Sequence, residues 1–285
     1  MRPFVLLILA AVAAFIANAT ADRLRPSFPS EVMTPQARLM LPLLKAVCAE
    51  GIRATDYKGH PAFGCGAYLH DILASPPPAR IDWWPHTAWT AEGLLPGHFL
   101  SPTSDDMVVS GHGAENHPSR YGGTLLLTRK QGVWKPVWYR SGLITFHCHR
   151  INLTTGRQVL LCEDTDGGMG HFFHNVYVVD LASPTVDEGG KGLLHADSYG
   201  SYLLGGVQTQ FIDRVSLEKT ASGAPLIRVY ARHGFVPLDL SDPSDAPLPQ
   251  PKLTPYRIDF QLSGETLRVT PPSRAAAKLF GHEDK

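Results

Sequence analysis

Short apolar runs punctuated by polar residues recur along the chain from about residue 100 onward. The segment "GVWKPVWYR" (132–140) has the alternation of a half-buried strand, in which successive side chains point to opposite faces. Gly and Pro are plentiful, at 26 and 24 residues, which suits many short strands joined by turns. The pattern therefore predicts a mainly β domain over residues 97–272.

One stretch before this domain has the periodicity of a helix. In "TPQARLMLPLLKAVCAEG", Thr34 is a candidate N-cap and Gly51 can end the helix. Pro42 either kinks the helix or marks a later start. The predicted apolar stripe consists of Leu39, Leu43 and Ala46 or Val47.

The remaining segments have their own composition. Residues 22–96 are predicted to form this N-terminal helix followed by an irregular segment rich in Gly, Pro and Trp, and residues 273–285 a C-terminal tail. Residues 1–21 have the pattern of a secretory signal peptide, with Arg2, an apolar run and a small-residue cleavage site. We expect an exported protein, periplasmic or extracellular, without a membrane span once the signal peptide is removed. An uncleaved anchor is the alternative.

The cysteines support export, because an even number in an exported chain favours disulfides. The chain has four of them: Cys48, Cys65, Cys148 and Cys162. Cys148 and Cys162 are symmetric about Thr155, within the turn-forming segment "NLTTGR", where Gly156 can adopt positive φ. A hairpin folded there would pair these two cysteines and leave the other two for a second disulfide. Free buried thiols or other pairings are the alternatives.

The strand-like runs recur in pairs, such as "DMVVSGHG" with "GGTLLLTRK" and "RQVLLCEDTDGG" with "HNVYVVDL". The segment 101–142, which contains the first pair, resembles a blade of the FG-GAP or VCBS type of β-propeller, and "VYVVDL" is similar to strands of such propellers. The resemblance implies a β-propeller-like repeat of short antiparallel strands, with an antiparallel β-sandwich as the alternative. Blades of this type carry an Asp-rich calcium loop. The nearest match, 164–167, lacks the later carboxylate of that loop.

Histidines are the first candidates for chemistry. The tripeptide His147-Cys148-His149 resembles a copper-binding motif of multicopper oxidases, but Leu153 stands where the next His of that motif would be. A simpler zinc site needs three or four ligands. The candidate metal ligands are His147, His149, His171 and His174. No cofactor follows from the sequence, although calcium and zinc are candidates.

Carboxylates are the second candidates, because glycoside hydrolysis needs one carboxyl group as a proton donor and another as a nucleophile or base. The candidate catalytic residues are Asp106, Glu163, Asp164 and Asp166. The alternative is that these residues form Asx turns and solvated caps.

Binding is the third function class. The formal net charge is zero and there is no basic run, which argues against nucleic acid. Loops at strand ends, especially 111–122 and 163–174, are the expected binding surface. The candidate ligand-binding residues are His112, Glu115, His117 and Trp138.

The sequence thus predicts an exported, disulfide-stabilised β-repeat protein that binds a ligand or protein partner, with carbohydrate among the candidates, without catalysing a reaction. The alternative is an extracytoplasmic hydrolase, either glycan-directed or dependent on a His-bound metal, with its site on the strand-end loops.

Overall fold

The computed structural model describes residues 28, 30–34, 36–48, 52–57, 60–65, 90–112, 122–141, 143, 145–168, 171–183, 191–197, 206–237, 251–263 and 266–282. The predicted signal peptide and two of the candidate binding residues, Glu115 and His117, lie outside these ranges. The fold is mainly β, as the alternating pattern predicts, and its strands are antiparallel.

The strands within the described ranges form three sheets, and each sheet follows the chain as a meander. The first sheet contains β1 (Ile52–Tyr57), β2 (His60–Cys65), β3 (Thr90–Gly97), β4 (Asp106–His112), β5 (Gly122–Lys130) and β6 (Val133–Ser141). The second sheet contains β7 (Cys148–Asn152), β8 (Gln158–Gly168), β9 (His171–Val179) and β10 (Lys191–Asp197). The third sheet contains β11 (Gly206–Lys219), β12 (Pro225–Pro237), β13 (Thr254–Ser263) and β14 (Thr266–Val269).

The predicted pairs of runs correspond only partly to neighbouring strands. β4 pairs with β5, β8 with β9, and β12 with β13. By contrast, β10 and β11, which are consecutive in the chain, belong to different sheets. The segment 22–96 contributes β1, β2 and β3 to the first sheet, so a large part of it is regular structure and not only an irregular segment.

The N-terminal helix is shorter than the sequence predicts. Helix α1 spans Ala37–Lys45, and its N-cap residue is Gln36, with extended backbone and no side-chain cap. Pro42 lies inside the helix with its ring exposed. The buried stripe is rotated from the predicted one and consists of Met40, Leu43, Leu44 and Val47.

Three apolar layers hold the helix and sheets together. The stripe of α1 packs on one face of the first sheet, against Leu94 and Leu125. The other face of that sheet packs on the second sheet, where Leu126 and Leu160 belong to the same cluster. The opposite face of the second sheet packs on the third sheet. Each fully buried aliphatic side chain contributes roughly 1.5–3 kcal/mol.

The C-terminal segment completes the last layer. A 3₁₀ turn (Pro271–Ser273) leads into helix α2 (Arg274–Leu279). Ala277 and Phe280 are fully buried between the second and third sheets, and His195 N donates to Phe280 O. Residues 273–282 are therefore part of the core, whereas the sequence suggested a tail.

The two ends of the sheets differ. At one end of the sheets the strands are followed by the connections 66–89, 113–121, 198–205 and 238–253. This end is called the long-connection end. The opposite end carries mostly shorter connections, such as 131–132 and 220–224, with 180–190 as its longest. The first and second sheets meet at that opposite end, because Gln158 N donates to His98 O at 2.8 Å. No helix within the described ranges is long and apolar enough to cross a membrane.

Candidate functional site

The hairpin of β7 and β8 is stapled by a disulfide between Cys148 and Cys162, as predicted. The two residues face each other in the strand register, with their Cα atoms 4.1 Å apart. Leu153 N donates to Arg157 O at 2.8 Å, and Gly156 has a φ of +85°. Gly156 thus supplies the left-handed conformation that this turn requires.

A second disulfide involves Cys48, which follows α1 and is buried against the first sheet. The side chain of its predicted partner, Cys65, lies outside the described residues. The pairing of these two cysteines therefore stays a prediction.

The histidines beside the staple point away from it. Cys148 is buried between the first and second sheets, whereas His149 faces Phe28, with its ring edge-on at 6.2 Å. His147 is exposed, and its backbone carbonyl accepts a hydrogen bond from Glu163 N. Among the described residues no group of three or more His, Cys, Asp or Glu could hold a metal ion. The side chain of the further candidate His171 is not described, so a metal site stays a prediction.

Glu31 connects the N-terminal segment to β7. Its Oε2 accepts hydrogen bonds from Arg150 Nε at 2.8 Å and Arg150 N at 2.9 Å, and its Oε1 lies 3.4 Å from His149 Nδ1. Burial alone would raise the pKa of Glu31, but the hydrogen bonds and charges of Arg150 and His149 hold it below its usual value. A second contact, between Met33 and Leu94, pairs the same segment with β3. The segment therefore joins the first and second sheets.

Asp106, a candidate catalytic carboxylate, is fully buried at the start of β4. Its Oδ2 accepts hydrogen bonds from Phe99 N and Leu100 N, both at 2.8 Å, and from the hydroxyl of Ser104. These contacts close the loop between β3 and β4. Asp106 thus caps backbone N–H groups, which is the alternative to a catalytic role that the sequence also allowed.

Two candidates from different classes come together in the structure. Glu163, on β8, was a candidate acid, and His174, on β9, was a candidate metal ligand. His174 Nε2 lies 3.8 Å from Glu163 Oε1, which is too long for a direct hydrogen bond. The side chain of Glu163 is 0% exposed, and that of His174 is 10% exposed.

The third sheet encloses this pair. Burial lowers the pKa of His174 to about 4, against a smaller upward effect from a hydrogen bond to the backbone of Ile212 and from the charge of Asp213. Asp213 lies at a register shift of β11 and forms a bidentate ion pair with Arg232. His174 is therefore neutral at neutral pH. A neutral imidazole beside a carboxyl group can exchange a proton, although Glu163 is fully buried and only 10% of the His174 side chain is exposed.

The remaining candidates lie apart from this pair. Asp164 is partly exposed, and its charge adds to the burial that raises the pKa of Tyr177. Trp138 is half-buried, and its Nε1 donates to Leu181 O at 3.2 Å. The side chains of His112 and Asp166 lie outside the described residues.

A charged surface on the third sheet was not predicted from the sequence. The outer face of this sheet, which is the one turned away from the second sheet, carries Phe211, Arg214, Ser216, Glu218, Arg228, Tyr230, Arg232, Arg257, Asp259 and Arg268. The signal was present, since polar residues alternate with Ile, Val and Phe in 226–232 and 257–261.

Comparisons of the chain with models of protein families, with curated proteins and with solved structures found no match.

Proposed function

We propose that the chain is exported and acts as a binding module for a ligand or protein partner, without catalysing a reaction. The observation that supports this proposal most is the burial of two candidate catalytic carboxylates, Asp106 and Glu163. Asp106 is buried and accepts hydrogen bonds from backbone N–H groups, and Glu163 is enclosed with His174 between two sheets. A glycosidase needs a pair of carboxyl groups that flank a bound sugar.

The long-connection end is the proposed binding surface. Long connections on a rigid scaffold are common places for recognition. Phe235, near this end of β12, is 45% exposed, so its ring is accessible to a ligand at this surface. Three stacked sheets and at least one disulfide hold the strands that border this surface.

We further infer that the second and third sheets are blade-like units of a propeller-type repeat. Each is a meander of four strands, and each packs face to face on its neighbour. A layered β-sandwich arrangement is the alternative that the same packing allows.

The binding function is tested by titrating the purified protein with a panel of soluble polysaccharides, while sugar release is followed in the same samples. We expect saturable binding without turnover, weakened by Phe235→Ser. Val133→Ser is the matched control, because Val133 is an exposed apolar residue beside the turn 131–132 at the opposite end. Equal binding by both variants would contradict the proposed surface.

A hydrolase is the alternative function, and the proximity of Glu163 to His174 is the observation that favours it. Release of soluble sugar by the protein, abolished by Glu163→Gln or Asp164→Asn, would reject the pure binding module. The Asp105→Asn variant is the control, since Asp105 is an exposed carboxylate that contacts only Arg129 among the described side chains.

A further inference from the structure

We propose that the outer face of the third sheet is a docking surface for an acidic polysaccharide, centred on Arg214, Tyr230 and Arg257. This inference adds a second binding surface to the function proposed above, on a different face from the long-connection end, and names the ligand class that this second surface takes. It rests on the proposed function only in assuming that the protein binds a ligand.

The charges of this face favour an anion. Both described carboxylates of this face, Glu218 and Asp259, are already paired with Arg228. Asp213, at the register shift of β11, is likewise paired with Arg232. The arginines outnumber the carboxylates, because Arg214 and Arg268 also lie on this face. Within the described residues neither of these two has a carboxylate partner. Their guanidinium groups are therefore available to an external anion.

The central row of the face is ordered. Arg214, Tyr230 and Arg257 are directly opposite one another in the register of β11, β12 and β13. The guanidinium of Arg214 lies over the ring of Tyr230, at 4.3 Å from its centroid. This contact restricts the guanidinium, and its N–H groups have no carboxylate partner among the described residues, so less conformational entropy is lost when an anion binds.

The spacing of the row fits a polymer with repeated anionic groups. Neighbouring strands lie about 4.8 Å apart, so the backbones of Arg214 and Arg257 are about 10 Å apart across Tyr230. The side chain of Arg257 is 63% exposed, and its Nε lies 3.6 Å from Asp259 Oδ2. This contact is longer than the 2.9 Å between Arg228 Nε and Oδ1 of the same carboxylate. Guanidinium groups bind carboxylates and sulfates through paired hydrogen bonds, and the half-buried side chain of Tyr230 can contact a sugar ring beside them.

A polysaccharide suits this face better than a nucleic acid. The formal net charge of the whole chain is zero, whereas nucleic-acid-binding proteins usually present a broad basic surface that neutralises many phosphates. A short row of arginines beside neutralised carboxylates is suited to a polymer of lower charge density.

The test measures binding of the purified protein to immobilised heparin and to polygalacturonate at low salt, with dextran as the uncharged probe and a single-stranded oligonucleotide as the polyanion control. We expect the acidic polysaccharides to bind and dextran not to bind. The double variant Arg214→Ala/Arg257→Ala should weaken binding by about tenfold or more. Arg214→Lys should bind less well than the wild type, because lysine keeps the charge but loses the paired hydrogen bonds.

The matched control is Arg38→Ala/Lys45→Ala, which removes two exposed cationic groups from α1, on the other side of the molecule. Circular dichroism and thermal melting verify that both double variants are folded. Equal losses in the two double variants, or tighter binding of the oligonucleotide than of either polysaccharide, would overturn the inference. Polysaccharide binding that is lost in Phe235→Ser but kept in Arg214→Ala/Arg257→Ala would overturn the inference and leave the proposed binding function standing.

Discussion

His174 Nε2 lies 3.8 Å from Glu163 Oε1, in the apolar layer between the second and third sheets. The backbone of Ile212 in the third sheet forms a hydrogen bond with His174, and Asp213, which is ion-paired with Arg232, acts on His174 through its charge. A titratable pair in this position links the packing of two sheets to protonation, because a buried charge is costly unless it is fully compensated.

The first prediction concerns pH. The pKa of His174 is about 4 in the folded protein and near 6.5 when unfolded, so the unfolded state binds more protons between these values. Stability is therefore unaffected by this residue above about pH 6.5. It should decrease by about 3 kcal/mol as the pH falls from 6.5 towards 4. Urea unfolding at several pH values measures this decrease.

The variant His174→Gln should remove most of that pH dependence. His147 and His233, whose pKa values burial also lowers, should leave a smaller dependence of the same sign, because they are closer to solvent. His195→Gln is the control, since His195 is exposed on the neighbouring strand β10. An unchanged pH profile in His174→Gln would contradict the assignment.

The second prediction concerns Asp106. Its replacement by Ala leaves the N–H groups of Phe99 and Leu100 without their buried acceptor, so we expect a loss of about 2–4 kcal/mol in the free energy of unfolding. Asp105→Ala should change stability by less than about 0.5 kcal/mol, because that side chain is 59% exposed. Similar effects for both variants, measured by chemical denaturation, would be inconsistent with the capping role.

The sequence indicated local features well and distant ones poorly. The hairpin of β7 and β8 follows from the symmetry of Cys148 and Cys162 about a turn with a suitable glycine. The strands β1 and β2 were missed, because β1 has few apolar residues and Pro61 and Gly64 hide the alternation of β2, and pairing in the first sheet overrides the local preference. The hairpin of β7 and β8 is determined by residues within its own segment, whereas β1 and β2 depend on pairing with the rest of the first sheet.

The candidate site illustrates the same limit. Glu163 and His174 were both candidates, yet their proximity depends on the register in which Thr165 pairs with His174. Their enclosure depends on stacking of the second sheet on the third, which no local pattern predicts. The contact of Ser30 with Phe146 spans a sequence separation of 116 residues, and the contacts of Glu31 are of similar range. Such pairings are determined by the packing of sheets.

The third prediction concerns Glu31 and Arg150. Their hydrogen bonds attach the segment 30–33 to β7, so a double-mutant cycle with Glu31→Ala and Arg150→Ala should give a coupling energy of about 1–2 kcal/mol. Because the pKa of Glu31 is lowered on folding, this stabilisation is present above pH 4.5 and is lost as the pH falls below it. Amide hydrogen exchange at residues 31–33 should become faster in either single variant. Strict additivity of the two substitutions would refute a direct interaction.

The fourth prediction concerns the staple. The disulfide joins residues separated by 14 positions, and closing a loop of this size stabilises a protein by about 3 kcal/mol in the chain-entropy model. The double variant Cys148→Ala/Cys162→Ala should lose about that amount in urea unfolding, because its unfolded chain gains the freedom that the cross-link removed.

The reductant response of the same variant separates the two disulfides. Dithiothreitol should lower the melting temperature of the wild type more than that of the variant, and any decrease that remains in the variant reports the disulfide of Cys48. Peptide mapping without reduction should recover Cys148 linked to Cys162. A different linkage, or a variant as stable as the wild type, would show that the strand register alone holds the hairpin closed.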